Sequence, residues 1–261
     1  MTPKNRVVIL TGATQGIGRA TAFVLAETGC KLALAARSVK LLQTLADELN
    51  HAGYEAVAIP TDMSDSVQAA ALAQKTIEAF GKIDVVINNA AVGVRDRVQD
   101  LREAEARRVM DVNYFGPVAL IQAAIPHLKV NPEGGLIINV SSIVGRRAMP
   151  GIAGYCASKA ALEKLAESLR LELKPANIRV STVYPGVTVT QFNDNSLGSS
   201  RQGRGWVKGV PPERVAQAIL KTIRHEQRDV FITLFDRTFV TTSMLLPWFM
   251  DNLLSGYLRN K

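Results

Sequence analysis

The sequence has little cysteine and little histidine. Its 261 residues include two cysteines, Cys30 and Cys156, and three histidines, His51, His127 and His225. Two cysteines cannot build a disulfide framework, and they favour a reducing compartment. The histidines are far apart in the sequence and none belongs to a ligand motif, so we predict no metal site.

Long hydrophobic runs are also missing. No stretch reaches the roughly 18 charge-free apolar residues of a membrane-spanning helix. The first apolar run, Val7–Leu10, is too short for the core of a secretory signal peptide. With the low cysteine content, this predicts a cytoplasmic protein.

The chain is basic, with 31 Lys and Arg against 23 Asp and Glu and a net charge of +8. A basic chain attracts phosphates, nucleic acids or anionic membranes. Its basic residues are nevertheless dispersed, and the tightest groups are pairs such as Arg107–Arg108 and Arg146–Arg147. Nucleic-acid binders usually concentrate such residues on one face, so we expect no nucleic-acid partner.

Short aliphatic runs alternate with longer segments of helical periodicity, in a chain whose length suits one α/β domain, residues 1–261. The predicted strands are Arg6–Leu10, Lys31–Ala36, Glu55–Pro60, Ile83–Asn88, Leu136–Val140, Ile178–Tyr184 and Val230–Leu234. The predicted helices cover residues 17–28, 39–52, 65–80, about 102–128, 154–174 and 212–227. Apolar strands alternating with helices indicate a doubly wound parallel sheet of about seven strands with helices on both faces. Such a sheet binds its ligand beyond the carboxyl ends of its strands.

A glycine-rich segment, residues 11–18, follows the first predicted strand and opens a helix. Glycines let the backbone approach a pyrophosphate closely, and the helix N-terminus supplies free N–H donors and positive potential. The segment therefore predicts a dinucleotide site. A plain glycine-rich connection between a strand and a helix is the alternative.

Arg37 follows the second strand directly after Ala36, where many dinucleotide sites have an acid that binds the ribose 2′-hydroxyl. Alanine cannot make that bond, whereas a guanidinium pairs well with a 2′-phosphate. This favours NADP over NAD. The alternative is a surface arginine at the start of the next helix.

Polar residues follow the third and fourth strands as well. Asp62 could accept a hydrogen bond from an adenine amino group with Met63 against the ring, or it could belong to a helix cap. Asn88 and Asn89 precede Ala90 and are equally consistent with a simple turn.

Ser142 stands just after the fifth strand, and Tyr155 and Lys159 lie four positions apart on the helix that follows. An ammonium near a phenol favours the phenolate and would move the phenol pKa from near 10 toward neutrality. The phenol could then exchange a proton with a substrate oxygen while Ser142 stabilises the charge on that oxygen.

Taken together, these motifs resemble the short-chain dehydrogenase/reductase family, from about residue 6 to residue 190. The residues that carry the resemblance are Thr11, Gly12, Gly16, Gly18, Asn88, Asn89, Ala90, Val112, Asn113, Ser142, Tyr155, Lys159, Pro185 and Gly186. The resemblance implies a Rossmann-type domain that moves a hydride between a nicotinamide and a carbonyl or alcohol. Tyr155 would be the general acid/base, Ser142 would polarise the carbonyl, Lys159 would also hold the nicotinamide ribose, and Asn113 would support a proton-relay water.

The cofactor residues predicted in this way are Gly12, Thr14, Gln15, Gly16, Ile17, Gly18, Arg37, Asp62, Met63, Asn89, Ala90, Tyr155, Lys159, Pro185, Gly186, Thr188 and Thr190. Two positions depart from the family pattern. Ala91 stands where glycine is usual, and Gln15 stands where many NADP-using members have a basic residue. Arg37 is therefore the main argument for NADP.

Two segments would specify the substrate and the partners. Residues 188–210 are predicted to be a substrate loop, in which Arg201, Arg204, Lys208 and Trp206 either meet the substrate or remain solvated. Residues 239–258 form an apolar C-terminal segment in which Pro247 breaks or starts a helix. This segment could pack against a partner subunit, cap the substrate pocket, or lie in a membrane surface.

Three other functions are weighed against a soluble carbonyl reductase. They are a non-catalytic NADP-binding regulator, a related isomerase or dehydratase, and a membrane-surface reductase of lipid ketones. The intact Ser142, Tyr155 and Lys159 argue against the first, and the short chain argues against the second. From the resemblance we also expect a homodimer or homotetramer.

Overall fold

The computed structural model describes residues 1–199 and 208–259. Seven parallel strands form one sheet in the order β3-β2-β1-β4-β5-β6-β7. The strands are β1 Val7–Thr11, β2 Lys31–Ala36, β3 Glu55–Pro60, β4 Val85–Asn88, β5 Gly135–Val140, β6 Ile178–Tyr184 and β7 Asp229–Phe231. The predicted doubly wound parallel sheet is confirmed.

Ten α-helices accompany the sheet in the described ranges. They are α1 Gly16–Glu27, α2 Val39–His51, α3 Ser66–Phe80, α4 Glu103–Met110, α5 Gly116–Lys129, α6 Ile143–Arg146, α7 Ala153–Glu172, α8 Pro212–His225, α9 Leu234–Leu245 and α10 Pro247–Arg259. Two separate apolar clusters form the core, with α1, α2 and α8 on one face of the sheet and α3, α5 and α7 on the other. Val8 and Leu10 of β1 belong to the first cluster and Ile9 belongs to the second, because successive strand residues point to opposite faces.

The central strands place the site. β1 lies between β2 and β4, so the chain winds outward in opposite directions from β1 and β4. A crevice opens beyond the carboxyl ends of strands at such a reversal of strand order. Thr11 ends β1 and Asn88 ends β4, so the glycine-rich segment and the Asn88–Asn89 pair meet there.

The helix predicted over about 102–128 contains an irregularity. α4 and α5 are joined by a π-helical turn, Asp111–Phe115, in which the amide of Gly116 donates to the carbonyl oxygen of Asp111. Single π turns inside α-helices are often found at functional sites. This one carries Asn113.

The last strand is shorter at its carboxyl end than the sequence predicts. Leu234 is the first residue of α9 and does not belong to β7. The side chain of Thr233 accepts from the amide of Asp236, and the Asp236 carboxylate accepts from the amide of Thr233. This reciprocal capping box fixes the start of a helix and overrides the β propensity of the apolar run. Pro247 begins α10, one of the two roles predicted for it.

Candidate active site

The glycine-rich segment makes a tight turn between β1 and α1. Gly12 has φ +65°, a conformation that favours glycine. A Cβ on Gly18 would overlap the carbonyl oxygen of Gly12, so the first turn of the helix packs directly on the backbone of the loop. The turn therefore needs glycine at both positions, for its backbone conformation at Gly12 and for close packing at Gly18.

The N-terminus of α1 is free to receive an anion. Within residues 1–199 and 208–259, no side chain caps its first amides, and its first turn contains no acidic residue. The Gln15 side-chain oxygen instead accepts from Asn195 Nδ2 at 3.1 Å. Uncapped amides at the positive end of a helix fit a pyrophosphate, and the predicted residues Thr14 and Ile17 flank them.

Asn89 is hydrogen-bonded to the backbone of the glycine turn. Its Nδ2 donates to the carbonyl oxygens of Thr11 and Gly12 at 2.9 and 3.2 Å, and the amides of Asn89 and Ala90 donate to Thr11 Oγ1 at 3.0 Å. The turn after β4 is therefore tied to the end of β1. These contacts give Asn89 a structural role, because its side chain supports the glycine turn.

The groups predicted to select the nucleotide surround the end of β2. Arg37 is exposed and has no ion-pair partner in the described part of the chain. Its guanidinium is thus free to meet a phosphate group.

Asp62 is already engaged by protein groups. Its carboxylate accepts from the amide and hydroxyl of Ser64 and from Arg108 Nη2. Partial burial would raise the pKa of Asp62, but these hydrogen bonds and the Arg108 charge outweigh burial and hold the pKa below its usual value. Met63 is 4% exposed and packs in the core against Gly116, so the prediction that its side chain faces an adenine ring is wrong.

Ser142, Tyr155 and Lys159 come together beyond the end of β5. The side chains of Ser142 and Tyr155 lie close enough for Ser142 to lower the Tyr155 pKa. Lys159 Nζ donates to the carbonyl oxygen of Val140 at 2.8 Å and lies 5.9 Å from the centre of the Tyr155 ring. The three residues predicted to perform the chemistry therefore form one cluster at the ligand edge of the sheet.

The electrostatics of this cluster differ from the sequence expectation. Burial raises the pKa of Tyr155 well above its ordinary value, the neighbouring Cys156 adds to that rise, and the polar side chain of Ser142 opposes it. Burial also lowers the pKa of Lys159 to about 7. The expected lowering of the phenol pKa does not arise from these residues alone, since burial disfavours the charged form of both groups.

Asn113 is fully buried in the π-helical turn, and both polar atoms of its side chain are hydrogen-bonded. Oδ1 accepts from the amide of Val92 at 2.9 Å, and Nδ2 donates to Val92 O and Ser158 Oγ, each at 2.9 Å. The side chain thus joins the segment after β4 to the helix that carries Tyr155. A relay water at Asn113 would have to use its backbone.

Pro185, Gly186, Thr188 and Thr190 continue the edge of the site after β6. The carbonyl oxygen of Pro185 accepts from Ser142 Oγ at 3.2 Å. A Cβ on Gly16 would stand 2.8 Å from Thr190 Cγ2, so the chain after β6 crosses over the glycine turn. Thr188 Oγ1 bonds Gly186 O at 3.3 Å. The structure therefore brings these predicted residues to the same site as Tyr155.

The first part of the predicted substrate loop, residues 188–199, covers this site, through contacts that the sequence did not specify. Phe192 packs on Tyr155, with ring centroids 5.3 Å apart. Leu197 pairs with the segment after β4 through bonds to Gly93 O and from Arg95 N, at 2.8 and 2.9 Å. The carboxylate of Asp96 accepts from the amide of Ser199 at 3.0 Å. The local sequence does not predict these contacts, because their partners lie about a hundred residues earlier in the chain.

Part of the predicted substrate loop, with Arg201, Arg204 and Trp206, lies outside the described residues. Lys208 is described and exposed, and Val189 and Val210 are joined by a backbone hydrogen bond of 2.9 Å at the base of the loop. In the described ranges, His, Cys, Asp and Glu nowhere form a group of three that could hold a metal ion. Nor does any helix of those ranges have the length and apolarity to cross a membrane.

The chain was compared with protein families and with curated proteins. A family model described as short chain dehydrogenase matches residues 6–199. Dehydrogenase/reductase SDR family member 7B of Mus musculus is 36% identical over 241 residues, which cover 89% of this chain and 74% of that protein.

Solved structures are similar over nearly the whole chain. A short chain dehydrogenase/reductase from Burkholderia phymatum in complex with NAD is 25% identical, with a TM-score of 0.86 and 94% of each chain covered. A short chain dehydrogenase from Burkholderia cenocepacia in complex with NADP is 28% identical, with a TM-score of 0.82, covering 97% of this chain and 99% of that one.

Proposed function

Because the chain belongs to the short-chain dehydrogenase/reductase family, we propose that it is an NADP(H)-dependent enzyme that interconverts a ketone or aldehyde with an alcohol. The observation that carries the proposal is the cluster of Ser142, Tyr155 and Lys159 beside the uncapped glycine turn, at one edge of the sheet.

The residues present fit a dinucleotide. The turn at Gly12 exposes backbone, the first amides of α1 are uncapped, and Thr190 lies over Gly16. These groups would hold the pyrophosphate, and Lys159 and the Pro185–Gly186 turn would hold the nicotinamide half. When bound, the nicotinamide supplies or accepts the hydride.

Tyr155 and Ser142 would handle the substrate oxygen. With its pKa raised by burial, the Tyr155 phenol keeps its proton at neutral pH and can donate it to a carbonyl oxygen during reduction. Ser142 can hydrogen-bond the same oxygen and stabilise its developing negative charge. Lys159, anchored on Val140 O, sits beside the phenol and changes its own charge near neutral pH.

Arg37 supports NADP as the preferred cofactor over NAD. It is exposed, has no ion-pair partner among the residues described, and follows a strand that ends in alanine. An uncommitted guanidinium at this place matches a 2′-phosphate. The similar solved structures include one with NAD and one with NADP, so the preference rests on this residue.

The test measures nucleotide binding and turnover of a panel of ketones and aldehydes. In Tyr155→Phe we expect kcat to fall by about 10²–10⁴-fold with nucleotide binding retained. In Arg37→Ala we expect the Kd for NADPH to rise at least about tenfold while the Kd for NADH is unchanged. Arg224→Ala, which removes another exposed arginine, is the control.

The outcomes separate the candidate functions. Failure to bind either nucleotide contradicts the whole proposal. Tight binding without turnover of any carbonyl favours the non-catalytic regulator. Equal binding of NADH and NADPH overturns only the argument from Arg37.

We also propose a homodimer or homotetramer in the cytoplasm. A surface recess of about 370 Å³ lies along α4 and the π-helical turn, lined by Ala106, Met110 and the half-exposed ring of Phe115. Exposed apolar surface of this kind suits a subunit contact. Cys30 and Cys156 are free and buried, as suits a reducing compartment. Light scattering tests the assembly, and fractionation tests the compartment.

A further inference from the structure

A run of consecutive exposed apolar residues lies at the junction of α9 and α10. Residues 244–249 are all exposed, and we call this segment the apolar corner. Leu245 is 74% exposed and Trp248 is 76% exposed. The other large apolar residues of the corner, Met244, Leu246 and Phe249, are each more than half exposed. Scattered exposed apolar residues are ordinary in proteins, whereas a contiguous patch marks an interaction surface.

The corner is held rigidly by the rest of the fold. Met250 follows it directly and is 4% exposed, so α10 is anchored in the core. Asp251 forms an ion pair with Arg147 at 2.5 Å, which ties α10 to the segment after α6. Val240 and Ser243 are buried on the inner side of α9. Since the inner side is already packed, the apolar side chains of the corner have no place to fold inward.

The charges around the corner favour an anionic partner. Residues 232–252 contain two acids, Asp236 and Asp251. Asp236 is buried in the capping box and Asp251 is paired with Arg147, so neither presents an unneutralised carboxylate. Arg237 is exposed on α9 and has no ion-pair partner in the described ranges. The chain as a whole carries +8.

We propose that the apolar corner inserts into the interface of an anionic lipid membrane. α9 and α10 have 12 and 13 residues, too few to span a bilayer and enough to lie in its surface. Trp248 and Phe249 supply the aromatic rings that favour the headgroup region. Arg237 and the net positive charge supply the attraction to anionic headgroups.

A lipid surface fits these observations better than a second copy of the chain. Six consecutive exposed residues at the junction of two helices can enter a fluid lipid surface, whereas an interface between copies needs a face that is complementary to itself. An anionic membrane attracts a chain of +8, whereas this charge supplies no attraction to a second copy at the corner.

Docking at the corner would bring the active site to the lipid surface. A Cβ on Gly186 would overlap Asp236, so α9 begins against the turn that continues the site. Arg147, which pairs with Asp251, lies five residues after Ser142. The corner and the catalytic hydroxyls are therefore linked by short, packed connections.

The experiment uses the full chain and lipid vesicles. The chain has two tryptophans, Trp206 and Trp248, so Trp206→Phe leaves Trp248 as the only indole. We expect this protein to co-sediment with vesicles of phosphatidylcholine and phosphatidylglycerol, and Trp248 fluorescence to shift to the blue and to be quenched by lipids brominated on their acyl chains. With phosphatidylcholine alone, binding should be at least about tenfold weaker.

Two variants test the surface itself. Leu245→Ser should weaken vesicle binding at least about tenfold, and Arg237→Glu should do so only on anionic vesicles. Leu171→Ser is the matched control, because Leu171 is 76% exposed on α7, and it should bind vesicles as the parent does.

Three results would overturn the proposal. The first is the absence of vesicle binding by a folded protein. The second is binding that Leu245→Ser leaves unchanged. The third is a loss of dimers or tetramers in Leu245→Ser, seen by light scattering without lipid, which would assign the corner to contact with a second copy. None of these readouts depends on enzyme activity, so they are distinct from the test of the proposed reaction.

Discussion

The ring of Phe192 packs on the ring of Tyr155, with centroids 5.3 Å apart and planes inclined by 53°. Phe192 belongs to the segment after β6, and Tyr155 lies on α7. The same segment is held in place by Asn195, which donates to Gln15 of the glycine turn, and by Leu197, which pairs with the chain after β4. One short segment thus contacts the proposed acid and the proposed nucleotide turn together.

Phe192 is expected to shape the substrate pocket beside Tyr155. In Phe192→Ala an apolar wall next to the reacting oxygen is lost, so KM for bulky apolar carbonyls should rise at least about tenfold while kcat changes little. Phe192→Leu keeps much of the apolar contact, so its KM for bulky carbonyls should lie between that of the parent and that of Phe192→Ala. Steady-state kinetics with small and bulky ketones give KM and kcat separately for each substrate. An equal change for small and bulky substrates would mean that Phe192 positions Tyr155 and does not select the substrate.

The contrast between Lys159 and Phe192 shows what the sequence could predict. Tyr155 and Lys159 lie four residues apart on one helix after a strand that Ser141 and Ser142 follow, so periodicity and strand order were enough to bring them to one edge. The contact between Phe192 and Tyr155 depends on the course of an irregular segment. Nothing in its composition fixes that course.

Side-chain direction and helix starts were harder to predict. Met63 follows a strand at the expected place, but it turns into the core against Gly116, which only the packing of α5 decides. Leu234 extended an apolar run that looked like strand, while the signal that ends the strand is the reciprocal bond between Thr233 and Asp236. Both errors arise where tertiary packing or capping overrides local propensity.

The buried Lys159 predicts a pH dependence of stability. Its pKa falls from an ordinary 10.5 to about 7 in the folded chain, so between these values the unfolded chain binds the extra proton and the folded chain does not. The free energy of unfolding should therefore rise with pH across this interval, by at most about 1.4 kcal/mol per pH unit. Below the lower value, both states are protonated and the contribution is flat.

Urea unfolding between about pH 7 and about pH 9 measures this effect. Lys159→Met should lack the rise, so its stability relative to the parent is highest at the low end of the range. Lys164→Met removes an exposed lysine of the same helix and should follow the parent curve. Parallel curves for Lys159→Met and the parent would contradict the lowered pKa.

Asn113 is expected to matter for folding. Asn113→Ala would leave the amide and carbonyl of Val92 and the hydroxyl of Ser158 without this partner in a buried setting, which should cost at least about 2 kcal/mol of unfolding free energy. Ser158→Ala removes one of these three bonds and the bond from Ser158 Oγ to Tyr155 O, and it should cost about 1 kcal/mol. Denaturant unfolding gives both values. A larger loss of unfolding free energy in Ser158→Ala than in Asn113→Ala would contradict the expectation that the Asn113 side chain contributes most to these contacts.

Gly186 and Asp236 are expected to be coupled. A Cβ on Gly186 would overlap the Asp236 carboxylate, which is 5% exposed and caps α9, so Gly186→Ala must push the carboxylate away and break its bond from the Thr233 amide. We expect a loss of about 1–3 kcal/mol in unfolding free energy. Since Gly186 continues the turn proposed to hold the nicotinamide, the Kd for NADPH should rise as well.

A double-mutant cycle isolates this contact. Asp236→Ser shortens the side chain and keeps a hydroxyl near the cap, so adding Gly186→Ala to that background should cost at least about 1 kcal/mol less than in the parent. Additive losses would mean that the alanine acts through the backbone of the turn and not through Asp236. Coupling in both stability and nucleotide affinity would show that the helix supporting the apolar corner also supports the cofactor turn, because the same carboxylate caps that helix and packs against Gly186.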